Sequence, residues 1–224
     1  TKAADIGADL VGKIEKGIEK FSVLRFLQSI EESDVVFWLI DAVEGITSQD
    51  QHIAQFILEA VKGIIVVVNK SDTFIGDEDL KIRYLNYLQK KLPYLSFAPV
   101  VFISAIKGKN INKLLLLADE IKEARAKRIP TEEFKLFLKK IVRKHRGDMQ
   151  GKVRWKVFDG EQIGSNPPGF AIWINSLSLL HFSFRRYVEN QIREQYGFVG
   201  TAIRMEFKQR NVNSPKFFNR RLLV

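Results

Sequence analysis

Residues 63–72 read Gly-Ile-Ile-Val-Val-Val-Asn-Lys-Ser-Asp, five consecutive β-branched residues closed by four polar ones. An apolar run this short and stiff, without alternation, has the length and composition of a strand covered on both faces. The polar tetrad Asn69-Lys70-Ser71-Asp72 then falls at the carboxyl end of that strand, where open α/β sheets bind their ligands. Moving outward, Asp34 to Asp41 (DVVFWLID) and Ala98 to Ser104 (APVVFIS) repeat the pattern. Between the runs lie apolar stripes at helical spacing: Ile53, Phe56, Ile57 and Ala60; Leu80, Tyr84, Leu85, Tyr87 and Leu88; Ile111, Leu114, Leu115, Ala118 and Ile121. Thr47 is placed as an N-cap, with Asp50 three residues on. Repeated βα units predict right-handed crossovers and an α/β parallel sheet with helices on both faces.

The pattern breaks at Arg125 to Thr131 (RAKRIPT), and a domain boundary is expected there, with one domain over 1–127 and a second over 128–209. The second half reads helix (Glu132 to His145), strand (Lys152 to Asp159), a turn-rich loop (Gly164 to Gly169), strand (Phe170 to Asn175), helix (Phe182 to Tyr196) and strand (Ala202 to Lys208). Strands of period two with helices to one side predict a small α+β domain. Residues 210–224 form a basic tail that could be a flexible arm or dock on a partner.

Charge divides along the same boundary. The 224 residues carry a formal net charge of +10. Residues 1–127 hold 17 Lys+Arg against 18 Asp+Glu, net −1, and residues 128–224 hold 19 against 8, net +11. A field of that sign suits phosphate backbones, and Lys139, Lys140, Arg143, Lys144, Arg146, Lys152, Arg154 and Lys156 concentrate it as a candidate RNA-binding patch. With no cysteine there is no disulfide, thiolate metal site or thiol nucleophile, and three scattered histidines argue against a metal cluster. Apolar runs fall far short of the roughly 18 residues a membrane span needs, so no membrane partner is expected.

Asn69-Lys70-Ser71-Asp72 carries the most chemistry. A carboxylate can accept two parallel hydrogen bonds from N1–H and the exocyclic amine of guanine, whereas adenine offers no such pair on that edge. The stem of Lys70 can lie on a purine plane, and Asn69 can tie the loop to its neighbours. Alone, the string also fits an ordinary polar turn. Ser104-Ala105, ending the next strand, tips the balance: both loops would surround one pocket, with the Ala105 N–H donating to guanine O6. Gly7 to Ile14 matches G-x-x-x-x-G-K, but no strand precedes it and Ile14 stands where a Ser or Thr should bind Mg²⁺.

Across about 200 residues the chain resembles the EngA (Der) family of bacterial tandem GTPases, from the second GTPase domain through the carboxyl-terminal KH-like domain. Besides the two base motifs, the matching strings are Gly12-Lys13-Ile14 with Gly17-Ile18-Glu19-Lys20, Asp41 to Thr47 (DAVEGIT) with Gln49-Asp50, Gly164 to Pro168 (GSNPP), and Leu180-His181-Phe182-Ser183 with Arg186-Tyr187 and Glu189-Asn190-Gln191. The resemblance implies a partial P-loop GTPase-like sheet followed by a KH-like domain, with a first GTPase domain upstream in the intact chain. It places the family's D-T-A-G switch segment on Ala4-Asp5-Ile6-Gly7, making Asp5 and Gly7 candidate nucleotide contacts, although the Mg²⁺-shell aspartate is replaced by Ala4. It further implies GTP/GDP with Mg²⁺ in the full-length protein, ribosomal large subunit and rRNA as partners, and a cytoplasmic location. A GTPase acting in ribosome biogenesis is the expected function, and a non-hydrolysing RNA-binding scaffold is the alternative. The string GSNPPG replaces the G-x-x-G loop with which KH domains clamp single-stranded RNA, so binding of structured rRNA through phosphates, or contact with the GTPase half, is expected instead.

Overall fold

The computed structural model describes residues 17–74, 78–148 and 156–210. Strand β1 (Val35–Asp41) follows helix α1 (Gly17–Glu32), and α2 (Ser48–Glu59), β2 (Gly63–Asn69), α3 (Glu78–Lys91), β3 (Val100–Phe102) and α4 (Ile111–Ala126) continue the alternation. The strands pair in parallel in the order β1-β2-β3. β2 is central, and six of its seven residues are buried. Its side chains divide between two cores, as the uninterrupted apolar run requires. Ile64, Val66 and Val68 join Trp38, Ile40, Ala54, Phe56, Ile57 and Leu88 on one face; Ile65 and Val67 join Ile103, Leu114 and Ile121 on the other. Helices therefore cover both faces.

Thr47 caps α2 with a complete capping box: its hydroxyl accepts from the Asp50 N–H at 3.2 Å, and the Asp50 carboxylate accepts from the Thr47 N–H at 2.8 Å. Some apolar expectations change. Leu85, Ile111 and Leu115 face solvent, α4 burying its Leu114/Ile121 side, and β3 is three residues long rather than seven. On β1, an edge strand of the described sheet, Phe37 and Leu39 are exposed.

The described chain divides into two compact units. The first takes in residues up to Lys127 together with 165–168 and 196–203, and the second takes in 128–164, 169–195 and the residues from 204 onward. Both added segments are hydrogen-bonded into the first unit: Gly200 accepts from the Ile64 N–H at 2.7 Å and donates to Phe97 at 3.0 Å. At φ +63, and with a built Cβ falling 2.4 Å from Ile121, position 200 admits only glycine without rearrangement.

In the second unit α5 (Thr131–Asp148) and α6 (Phe182–Tyr196) accompany a sheet ordered β4 (Val157–Gly164), β5 (Gly169–Ile174), β6 (Arg204–Gln209). β4 and β5 are antiparallel, β5 and β6 parallel. Glu132 and Glu133 in the first turn of α5 complement the helix dipole. β4 starts at Val157 and runs past Asp159 to Gly164, where the sequence predicted a strand over 152–159; residues 149–155 lie outside those described. Gly160 permits the close approach of α5, since a side chain there would collide with Leu138 and Phe134 of that helix. β5 does not alternate: Phe170, Ala171, Ile172 and Ile174 are all buried, as befits a central strand. Phe184 is core, but Phe182 is largely exposed. His181 Nδ1 accepts from the Ser183 N–H and lies 2.7 Å from its hydroxyl, so the ring caps the start of α6.

Candidate functional site

The three parallel strands of the first unit end side by side. Register pairs Asp41 with Asn69 and Val68 with Phe102, so the loops after β1, β2 and β3 leave the same end of the sheet. Asn69, Lys70, Ser71 and Asp72 meet Ser104 and Ala105 there. The Asn69 Oδ1 accepts from the Ala105 N–H at 3.1 Å, tying the two loops together. The sequence reading offers that N–H to guanine O6; among the described residues it is engaged by Asn69.

Lys70 adopts φ +64, a left-handed conformation uncommon outside glycine. Its carbonyl is held by the Thr73 N–H at 3.0 Å and hydroxyl at 2.7 Å, and its ammonium reaches Asp41 at 2.5 Å. That hydrogen bond is the main reason Asp41 lies below, and Lys70 above, its ordinary pKa. Ser71 is buried, its N–H donating to Ile103 at 2.9 Å and its hydroxyl lacking a partner among the described residues.

Asp72 is the half-buried carboxylate of the group. The Ser104 hydroxyl beside it, its own backbone N–H, and the charges of Lys107 and Lys70 hold its pKa below the usual carboxylate range. It is therefore ionised at neutral pH and offers lone pairs to two N–H donors in parallel. Ser104 is fully buried and bridges to the next loop by accepting from the Lys107 N–H at 3.3 Å.

Sequence reasoning leaves Asp41 evenly open between a loop role and a contact to nucleotide; what it lacks is register, which sets Asp41 directly beside Asn69. The turn after Asp41 is braced by α3, where Tyr87 Oη accepts from the Ile46 N–H at 3.0 Å and Tyr84 Oη approaches the Asp41 carbonyl at 3.5 Å. Burial pushes the Tyr84 pKa up to about 12, so it stays a donor. Asp5, Gly7 and the whole of Gly7 to Ile14 lie outside the described residues.

In the second unit Lys139, Lys140, Arg143 and Lys144 are exposed along α5, and Lys156 is exposed before β4. Lys139 and Arg143, one helical turn apart, line a groove of about 700 Å³ with Val142, Phe158 and Asp159. The Arg146 side chain, Lys152, Arg154 and the tail from 211 lie outside the described residues.

Two family models match the chain. Residues 17–143 match the elongation factor Tu GTP binding domain, and residues 128–208 match the KH-domain-like carboxyl-terminal domain of EngA bacterial GTPase enzymes. GTPase Der of Chloroflexus aggregans is 42% identical over 205 residues, which span 91% of this chain and 46% of that protein. GTPase Der of Thermomicrobium roseum is 38% identical over 206 residues, 91% of this chain and 45% of that protein. The chain belongs to the EngA (Der) GTPase family. It spans about half the length of the curated relatives it matches. A solved structure of Aquifex aeolicus Era bound to GDP·AlF4⁻ aligns with 83% of the chain and 68% of its own at a TM-score of 0.38 and 24% identity. In this EngA (Der) chain the KH-like match contains the basic ridge of α5, and the GTP-binding match contains the whole loop cluster around Asn69 and Asp72. No described helix is long and apolar enough to cross a membrane.

Proposed function

We propose that this chain supplies the guanine-reading and RNA-binding parts of an EngA-type GTPase acting in assembly of the large ribosomal subunit, with nucleotide state controlling domain arrangement and thereby rRNA affinity. The observation that carries the reading is the ionised Asp72, held by the buried Ser104, in a loop tied to Ala105 through Asn69. Such a carboxylate accepts from N1–H and the 2-amino group of guanine and meets no such donor pair on adenine. Asn69 and Lys70 complete the base site, and the exposed cations of α5 would meet RNA phosphates. GTP and GDP are the ligands, with Mg²⁺ expected beside the phosphates in the full-length protein. Among the described residues no group of three or more His, Cys, Asp or Glu is placed to hold a metal, so no Mg²⁺ ligand is assigned.

Titration of the full-length protein with GDP and ADP tests the base site. Wild type should bind GDP selectively, and Asp72→Asn should lose roughly 10²-fold or more of that selectivity. Absence of GDP binding, or an unchanged preference in the variant, would overturn the reading. For the RNA half, affinity for rRNA should fall steeply with salt, and replacing Lys139, Lys140, Arg143 and Lys144 together should flatten the slope.

A further inference from the structure

The two carboxylate oxygens of Asp41 do different work. Its Oδ1 accepts from the Val43 N–H at 2.8 Å and so closes the turn after β1, where the Asp41 carbonyl also accepts from the Gly45 N–H at 2.9 Å. Its Oδ2 takes the Lys70 ammonium at 2.5 Å. A neutral asparagine could close the same turn through its single oxygen. The negative charge and the second oxygen are spent on Lys70.

Lys70 is thus fixed at both ends. Its backbone is set at φ +64, its carbonyl is bonded twice to Thr73, and its ammonium is tied to the neighbouring strand end. Asp41 in turn stands on rigid ground, because Tyr84 and Tyr87 of α3 brace its turn and both pack against the core that holds β1. The four-carbon stem between those anchors bridges the ends of β1 and β2, beside the loop that carries Asp72. A free lysine, half-exposed as this one is, would have to be ordered when a ligand arrived. Here the ordering is done beforehand, which lowers the entropic cost of binding.

Building on the guanine reading above, we propose that Asp41 is a positioning residue for the nucleotide: it holds the Lys70 ammonium so that the lysine stem forms a preset wall for the purine. Asp41 touches the lysine and not the base. Selectivity for guanine stays with Asp72, while Asp41 sets the affinity that any purine in the site can reach.

The test is a double-mutant cycle on the full-length protein, reading fluorescently labelled GDP by anisotropy, with Asp41→Asn, Lys70→Met and the pair. Asp41→Asn keeps the Val43 contact, so its thermal midpoint should stay near wild type. It should bind GDP about 3–10-fold more weakly, as expected for one long side chain left to be ordered by the ligand. In the Lys70→Met background the same change should cost nothing further, and the preference for GDP over ADP should be unaltered. Unchanged or tighter GDP binding by Asp41→Asn, or an equal loss with and without Lys70, would overturn the proposal. If Asp72→Asn loses guanine preference while Asp41→Asn binds normally, the guanine site stands and the role of Asp41 does not. A wild type that fails to bind GDP would overturn both.

Discussion

The two ends of the first unit's sheet carry similar polar groups and use them in opposite ways. At the carboxyl ends Asp41, Lys70, Asp72 and Lys107 are partly open to solvent. At the amino ends Arg125 is 2% exposed, with Nε donating to Asn166 Oδ1 and Nη1 to the Val61 carbonyl, both at 3.0 Å. The Asn166 amide completes the set by donating to Asp34 Oδ1 at 3.0 Å, and its backbone N–H donates to the Arg125 carbonyl at 3.0 Å. Under the proposed guanine-reading role, one end is open to a ligand. The other is finished from within, by residues 165–168 of the same unit. A polar residue at a strand end whose hydrogen bonds are all consumed internally, as at Arg125, is structural unless it orders a neighbour that is still open, as Asp41 orders Lys70.

The largest expected effect lies at the finished end. Arg125→Met keeps the volume of the side chain but leaves Asn166 and Val61 without their donors and Asp34 without its counter-charge. Asn166 and Asp34 are exposed and can turn to water, so the cost is that of two lost hydrogen bonds from a charged donor, about 1.5–3 kcal/mol. Urea unfolding should register a drop of that size, while GDP affinity of the folded protein stays at the wild-type level. A stability change under about 1 kcal/mol, or a selective loss of GDP binding, would break the contrast between the two ends.

At the unfinished end pH should act on binding before it acts on the fold. Asp72 has a folded-state pKa below its unfolded value of about 3.9, so its contribution is complete above that pH and is lost as pH falls through the lowered folded value. GDP affinity should therefore be flat from neutral pH down to about 5 and decline only below about 4. Asp72→Asn should show no decline of this kind. A midpoint near pH 5 or higher in wild type would mean that desolvation outweighs Ser104 and Lys107, and that the carboxylate is not held ready for the base.

How much of this was legible in the sequence depended on whether the information was local. β2 runs from Gly63 to Asn69, as its unbroken β-branched run predicted, and the Thr47-Asp50 box formed, because period and capping are properties of a few neighbouring residues. The strings Asn69 to Asp72 and Ser104-Ala105 could be placed at strand ends for the same reason. Pairings between distant residues could not. Asp41 is an ordinary strand-end aspartate until register sets it beside Asn69, and Arg125 looks like one more cation in a charged linker until Asn166 reaches it from 41 residues away. The far end of β4 was misread because the apolar alternation stops at Asp159, whereas pairing with β5 carries the strand on to Gly164.

Thr47 gives the smallest and sharpest test of the rule. It lies at the same end of the sheet as the nucleotide loops, yet its polar groups are consumed locally: the hydroxyl accepts from the Asp50 N–H and donates to the Asp50 carboxylate at 2.7 Å. By position it belongs with Asp41 and Asp72; by satisfaction it belongs with Arg125. If satisfaction decides, Thr47→Ala should cost about 1 kcal/mol of stability, the usual worth of an N-cap, and leave GDP affinity unchanged. Parallel urea unfolding and GDP titration give both numbers from one preparation. A weakened GDP complex at unchanged stability would show instead that proximity to the strand ends is enough to matter, and that the capping box reaches the base site through the turn Asp41 anchors.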